Sequence, residues 1–252
     1  MTRGPRRPAA GVGAAVGAVL TVLLLALAGC SALGSARLPE RTSAAPTPTP
    51  SLPATADAFR DARTFALAAE SGHLVGTLGT GAAAVRIDLE GSASGANQRL
   101  VRAVRGRGTA VVLTVGDGHW LAGDEAFWRT RTPNAADARA RVGTWAPVRA
   151  ADARAVGPET LRGVLEATFS RPAVAALEED PAPVVDDEVE GRPAWRLGTE
   201  DGGARVWVAA AGGGEVLRVA VSGKGAVDLT TTGWERATVW QPPAAGDVPD
   251  LG

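Results

Sequence analysis

The chain predicts an α+β fold, a single curved antiparallel sheet with helices packed against one face. Three observations predict it: a helical apolar stripe opens the body of the chain, two runs of period-two alternation follow, and a second helical stripe separates those runs. Glycine turns punctuate the alternating segments at hairpin spacing, as an antiparallel meander requires.

The first helix is expected over residues 57–70, DAFRDARTFALAAE. There Ala58, Phe59, Ala62, Phe65, Ala66 and Ala69 fall on one face, with Arg60, Asp61 and Arg63 opposite, and Ser71-Gly72 stops the run. The period then changes to two. Val85, Ile87 and Leu89 alternate with Arg86, Asp88 and Glu90, and Val111, Leu113 and Val115 alternate with Val112 and Thr114, all bounded by glycine pairs. In Gly157-Pro158-Glu159-Thr160-Leu161 the proline suits a first helical position and Glu159 complements a helix N-terminus. Leu161, Val164, Leu165, Thr168 and Phe169 then form one stripe, Pro172 ends it, and residues 173–178 add a short helix. Strands resume at residues 184–190, 193–197, 205–208, 216–222, 226–231 and 237–240, which gives one domain over residues 56–243 and a disordered tail at 244–252.

Ahead of this body lies a three-part secretion signal over residues 1–29. Arg3, Arg6 and Arg7 precede an uncharged run from Gly11 to Ala28, and Leu27-Ala28-Gly29 leads into Cys30, the one cysteine of the chain. A membrane-spanning helix is the rival reading, but the run is weakly apolar and would not account for a cysteine at its end. Residues 30–55 are rich in Ser, Ala, Thr and Pro, with too few large apolar groups to offset the entropy of ordering, and read as a disordered stalk.

Removing residues 1–29 takes away three arginines, so a formal charge of −1 becomes about −4. No basic field exists there to hold nucleic acid. With Cys30 modified no thiol remains for disulfides, so a hydrophobic core must supply stability.

Leu27-Ala28-Gly29-Cys30 resembles the bacterial lipobox, which implies a covalent diacylglycerol on Cys30 and a tether on the extracytoplasmic face of the cell membrane. The stretch Val115-Gly116-Asp117-Gly118-His119-Trp120-Leu121-Ala122-Gly123-Asp124-Glu125-Ala126-Phe127-Trp128 resembles actinobacterial envelope lipoproteins of the LppX/LprG type. Gly143-Thr144-Trp145, Val206-Trp207-Val208, Leu217-Arg218-Val219, Val227-Asp228-Leu229-Thr230 and Val239-Trp240-Gln241-Pro242 fit the same scheme in order, over about residues 57–243. Two positions depart from it: Ala209-Ala210-Ala211 replaces the usual acidic turn, and His119 precedes Trp120 where a lysine is common.

The resemblance implies a LolA-like half-barrel, strongly curved, with helices on the concave face and an apolar cavity that takes acyl lipid. Expected cavity-lining residues are Phe59, Phe65, Trp120, Trp128, Trp145, Leu161, Leu165, Phe169 and Trp207. Expected partners are the membrane, through the anchor, and an acyl lipid; a monomer without metal, cofactor or catalytic residues is expected.

Features that suggest chemistry have plainer readings. Gly79-Thr80-Gly81-Ala82-Ala83-Ala84 matches a dinucleotide pattern but precedes a strand where that pattern needs a helix. Gly91-Ser92-Ala93-Ser94-Gly95 has alanine where a nucleophile elbow has serine. His73 and His119 share no ligand spacing and read as surface or strand residues, and the acidic run 178–190 lacks a calcium-loop pattern. The alternative to a lipid carrier is a non-enzymatic envelope lipoprotein that acts as a protein-interaction module with a filled barrel, while an extracytoplasmic enzyme is disfavoured because no nucleophile, base and orienting group can be assembled.

Overall fold

The computed structural model describes residues 52–199 and 201–252. The expected signal at 1–29, Leu27, Ala28, Gly29 and Cys30 with it, and most of the stalk lie outside the described residues.

Helix α1 spans Thr55–Ala68 and buries the small, closely spaced face expected of it: Ala58, Phe59, Ala62 and Ala66. Thr55, assigned from sequence to the stalk, is buried and donates its hydroxyl to the carbonyl of Ala182, so it belongs to the folded body. Five strands follow as consecutive hairpins: β1 (Ser71–Leu78), β2 (Val85–Ser92), β3 (Asn97–Val104), β4 (Gly108–Val115) and β5 (Gly118–Gly123). A helical block comes next, with α2 (Glu125–Arg129), α3 (Ala135–Arg141), the two-residue strand β6 (Ala146–Pro147), α4 (Ala150–Val156), α5 (Leu161–Phe169) and α6 (Pro172–Ala175). Five more strands complete the chain: β7 (Val185–Val189), β8 (Arg192–Leu197), β9 (Ala204–Ala209), β10 (Val216–Val221) and β11 (Val227–Thr232).

All eleven strands form one antiparallel sheet in the order β6-β5-β4-β3-β2-β1-β11-β10-β9-β8-β7. It consists of two meanders joined along β1 and β11, in a register that sets His73 opposite Thr232 and Leu78 opposite Val227. The sheet is open, with β6 and β7 at its edges. At the β7–β8 turn Glu190 (φ 51°) and Gly191 (φ 82°) both occupy the left-handed region, the backbone that a two-residue hairpin turn needs.

Side chains alternate between two differently covered faces. On the inner face Leu74, Ile87, Leu89, Leu100 and Val206 pack with Phe59 of α1 and Leu161, Leu165 and Phe169 of α5 in the main core. The Phe59 and Phe169 rings lie 6.0 Å apart, and Arg162 Nη1 donates to the Leu67 carbonyl at 2.7 Å, which ties α5 to α1. The outer face carries a smaller cluster around Trp207, Leu217 and Ala220.

Several elements differ from the sequence expectation. Helices α3 and α4 were not expected, because each buries only one or two small residues, Ala138 in one and Ala153 with Val156 in the other. Helix α5 starts at Leu161, where the Thr160 hydroxyl accepts from Gly163 N at 3.1 Å; Pro158 and Glu159 precede it outside any helix. Residues 237–240, expected as a strand, instead cross the outer face: Asn97 Nδ2 donates to the Trp240 carbonyl at 2.9 Å, Trp240 N donates back to Asn97 Oδ1 at 2.8 Å, and Thr238 N donates to Glu90 Oε1 at 2.9 Å. The segment 244–252, expected as a disordered tail, has no regular secondary structure but is placed against the same face, with Pro249 buried and Arg99 Nη2 donating to the Asp250 carbonyl at 2.7 Å. Polar side chains on β2 and β3 supply hydrogen bonds that a tail without helix or strand of its own cannot make internally.

Candidate functional site

The inner face is where an acyl chain would have to lie, and side chains fill most of it. Phe59 and Leu161 are fully buried, and Phe169 and Leu165 nearly so, all packed against the sheet. Trp128 belongs to this core and meets Phe127 edge-on at 5.0 Å. Phe65 is partly buried and stands edge-on to Trp234 at 5.5 Å, while the Trp234 indole donates to the Val216 carbonyl at 2.9 Å.

Three expected lining residues lie on the other side. Trp120 pairs with Leu113 while its neighbour Leu121 pairs with the inner-face residue Val112, so Trp120 is on the outer face. Trp207 lies between the inner-face residues Val206 and Val208, and its indole donates to Asp187 Oδ2 at 2.9 Å on the outer side. That bond, above all, holds the Asp187 carboxyl below its ordinary range. Trp145 borders an outer depression with Trp120 and the C-terminal segment. The apolar runs Trp120-Leu121-Ala122 and Val206-Trp207-Val208 are covered on both faces, so alternation in the sequence did not reveal which member faces the helices.

Where α5 meets β1, an apolar depression of about 300 Å³ opens to solvent. Leu78, Pro158, Val164 and Ala167 line it, and Arg171 stands at its rim. Arg171 donates through Nη1 to the Gly225 carbonyl, whereas its Nε is buried without a hydrogen-bond partner. The geometry suits a short length of hydrocarbon with an acceptor group beside Arg171. Sequence reasoning found the buried stripe of α5 but missed Ala167, at an exposed position of the same helix, and Arg171, which lies between α5 and α6.

The outer face presents a polar row centred on His73. Its Nε2 lies 2.8 Å from Asp88 Oδ1, and its Nδ1 lies 3.3 Å from Thr232 Oγ1. The hydrogen bond with Asp88 is the main reason that His73 titrates above its ordinary value and Asp88 below its own. The order of groups is that of a nucleophile, base and acid, but the backbone amides around it belong to the β1–β2 and β1–β11 ladders, so it has no pair of free donors for an oxyanion. His119 bonds Thr114 Oγ1 through Nδ1 at 3.1 Å. Among the described residues no three His, Cys, Asp or Glu side chains converge as metal ligands, and no helix is long and apolar enough to cross a membrane.

No protein-family model and no curated protein matches the chain. Solved structures similar to it include two mycobacterial lipoproteins. Lipoprotein LppX from Mycobacterium tuberculosis aligns over 73% of this chain and 97% of its own, at 15% identity and a TM-score of 0.41. The structure of this chain is also similar to that of LprF from Mycobacterium bovis, over 75% of this chain and 97% of that one, at 15% identity and a TM-score of 0.47.

Proposed function

We propose that this chain is a lipoprotein, anchored through Cys30 to the extracytoplasmic face of the membrane, that holds an acyl lipid and breaks no bonds. The apolar depression between α5 and β1, with Arg171 at its rim, carries the reading. Each methylene removed from water there contributes about 0.8 kcal/mol, and the unpartnered Arg171 Nε offers a charge-assisted donor to a carboxylate or ester head. The signal and lipobox pattern of residues 1–30 supplies the anchor in this reading, and the envelope-lipoprotein motifs of residues 115–128 accord with it.

The full chain, purified from its membrane and extracted with organic solvent, is expected to release acyl lipid detectable by mass spectrometry; the acyl groups on Cys30 are covalent and stay behind. Ala167→Trp, at an exposed position of α5, should fill the depression and cut the released lipid about tenfold with an unchanged melting temperature. A wild-type chain that releases nothing overturns the carrier reading. That result would favour a docking lipoprotein, the reading that the packed layer around Phe59, Leu161 and Phe169 supports.

A further inference from the structure

A second pocket, of about 400 Å³, lies between the β3–β4 hairpin, α2 and α4. Its character is opposite to that of the groove. Arg102 of β3, Arg107 in the hairpin turn and Arg131 just after α2 line it over an apolar floor that includes Ala110, Phe127 and Val156.

The charges of this pocket are poorly balanced. Arg102 Nε has one carboxylate near it, Glu159, with Oε1 at 3.5 Å; no hydrogen bond joins them, and both Arg102 Nε and Glu159 Oε2 are buried without a hydrogen-bond partner. The Arg131 guanidinium stands 4.6 Å from the centre of the Phe127 ring, which fixes its plane. Among the described residues neither Arg107 nor Arg131 is paired with a carboxylate. The acidic groups of α2 are engaged elsewhere: Asp124 accepts from Thr109 N at 2.8 Å and Phe127 N at 2.7 Å, and Glu125 Oε1 accepts from Arg129 at 2.6 Å and Arg139 at 3.1 Å. Three guanidinium groups thus line one recess with an apolar floor, and the carboxylate beside Arg102, Glu159, lies outside its lining.

We propose that this pocket is an anion site that takes a phosphate group on Arg102, Arg107 and Arg131. Like charges gathered with a single carboxylate near them repel one another, and a bound anion lowers that cost. A phosphate presents several acceptor oxygens to guanidinium forks coming from three sides, whereas a single carboxylate fills one fork. Arg131 and Arg102 are held by Phe127 and Glu159, and Arg107, on an exposed turn, is free to close over the ligand. Glu159 lines the acyl groove and stands beside Arg102, but Arg107 and Arg131 do not line the groove, so phosphate binding and lipid release are tested through different residues. The phosphate has two sources with the same chemistry, a lipid head group or a free phosphate.

Calorimetric titration of the full chain in non-ionic detergent at low salt separates them, with inorganic phosphate in one arm and dihexanoyl phosphatidic acid in the other. Arg107→Gln and Arg131→Gln should each weaken binding at least fivefold, and Arg131→Lys should restore only part of it because the charge returns without the fork. Arg60→Gln, on α1, which packs against β8, β9 and β10 in the other meander, should leave binding unchanged. Tenfold tighter binding of the phosphatidic acid assigns the site to a lipid head group, and equal binding assigns it to free phosphate; both uphold it. No binding in either arm, or an equal loss in Arg60→Gln, overturns it.

Discussion

His73 shows how one side chain acquires a pH-dependent contribution without any catalytic role. Its ring bridges β2 and β11, bonded to Asp88 on one side and Thr232 on the other, and both partners keep roughly a third or less of the ion pair in water. Hydrogen bonding to Asp88 raises the His73 pKa against the opposing effect of burial, with Glu90 adding to the rise and Arg99 reducing it. A raised histidine contributes stability below its ordinary value of 6.5 and loses it as pH climbs through the raised one; a lowered aspartate contributes above its ordinary 3.8 and loses it as pH falls through the lowered one. The pair therefore stabilises most between those two ordinary values. Urea unfolding of the wild type and of Asp88→Asn should show a gap of at most about 1 kcal/mol at pH 5 that shrinks by pH 8.5, the ceiling expected for an ion pair that keeps about a third of its surface in water. An equal gap at both pH values would refute the linkage. The sequence marks His73 as a strand residue, but its partners are 15 and 159 positions away, beyond what local spacing can reveal.

Elements were legible in proportion to how much apolar surface each one buries. Helices α1 and α5 each bury four or more residues at helical spacing, so their stripes predict both their existence and their buried face. Helices α3 and α4 are held mostly by caps and charge pairs, such as Asn134 Oδ1 accepting from Asp137 N at 2.9 Å and Arg149 Nε bonding Asp152 at 2.8 Å, which leave almost no apolar period. The N-cap pattern Asn134 to Asp137 was the available signal. The C-terminal segment was illegible because its hold on the sheet comes from the side chains of Glu90, Asn97 and Arg99 on other strands. Packing of α5 yields a direct test of how the inner face is filled. Phe169 is fully buried against Phe59, so Phe169→Ala should cost about 3–5 kcal/mol in denaturant unfolding if the site cannot collapse. A cost under about 1 kcal/mol would mean that the layer between α5 and the sheet is loosely filled, with room there for a ligand.

For the whole sheet the decisive feature is that its first and last strands pair. The β1–β11 seam joins two meanders that are each built from near neighbours, so the sheet has its ends in the middle of the chain, at β6 and β7. Hairpins are written in local glycine turns and alternation, whereas a seam between residues about 155 positions apart has no sequence mark, and so the meanders were legible and their union was not. Putting the edges in the middle also explains the acidic run at residues 178–190, which otherwise has no ligand-binding pattern. An open edge invites another strand, and short length, proline and charge are the defences. Strand β6 is two residues long and ends in Pro147. Strand β7 is longer and mostly exposed, and it carries Asp186, Asp187 and Glu188. Asp187 is occupied with Trp207, which leaves Asp186 and Glu188 to repel an incoming strand. Asp186→Val with Glu188→Val turns the edge into Val-Val-Asp-Val-Val, a β-prone apolar strip that keeps its free hydrogen-bonding side. The double variant should elute as dimers or larger species in size-exclusion chromatography with light scattering, while Asp186→Asn with Glu188→Gln, which keeps polarity but not charge, should associate less. Identical elution of the apolar variant and the wild type would show that something other than these carboxylates protects the edge.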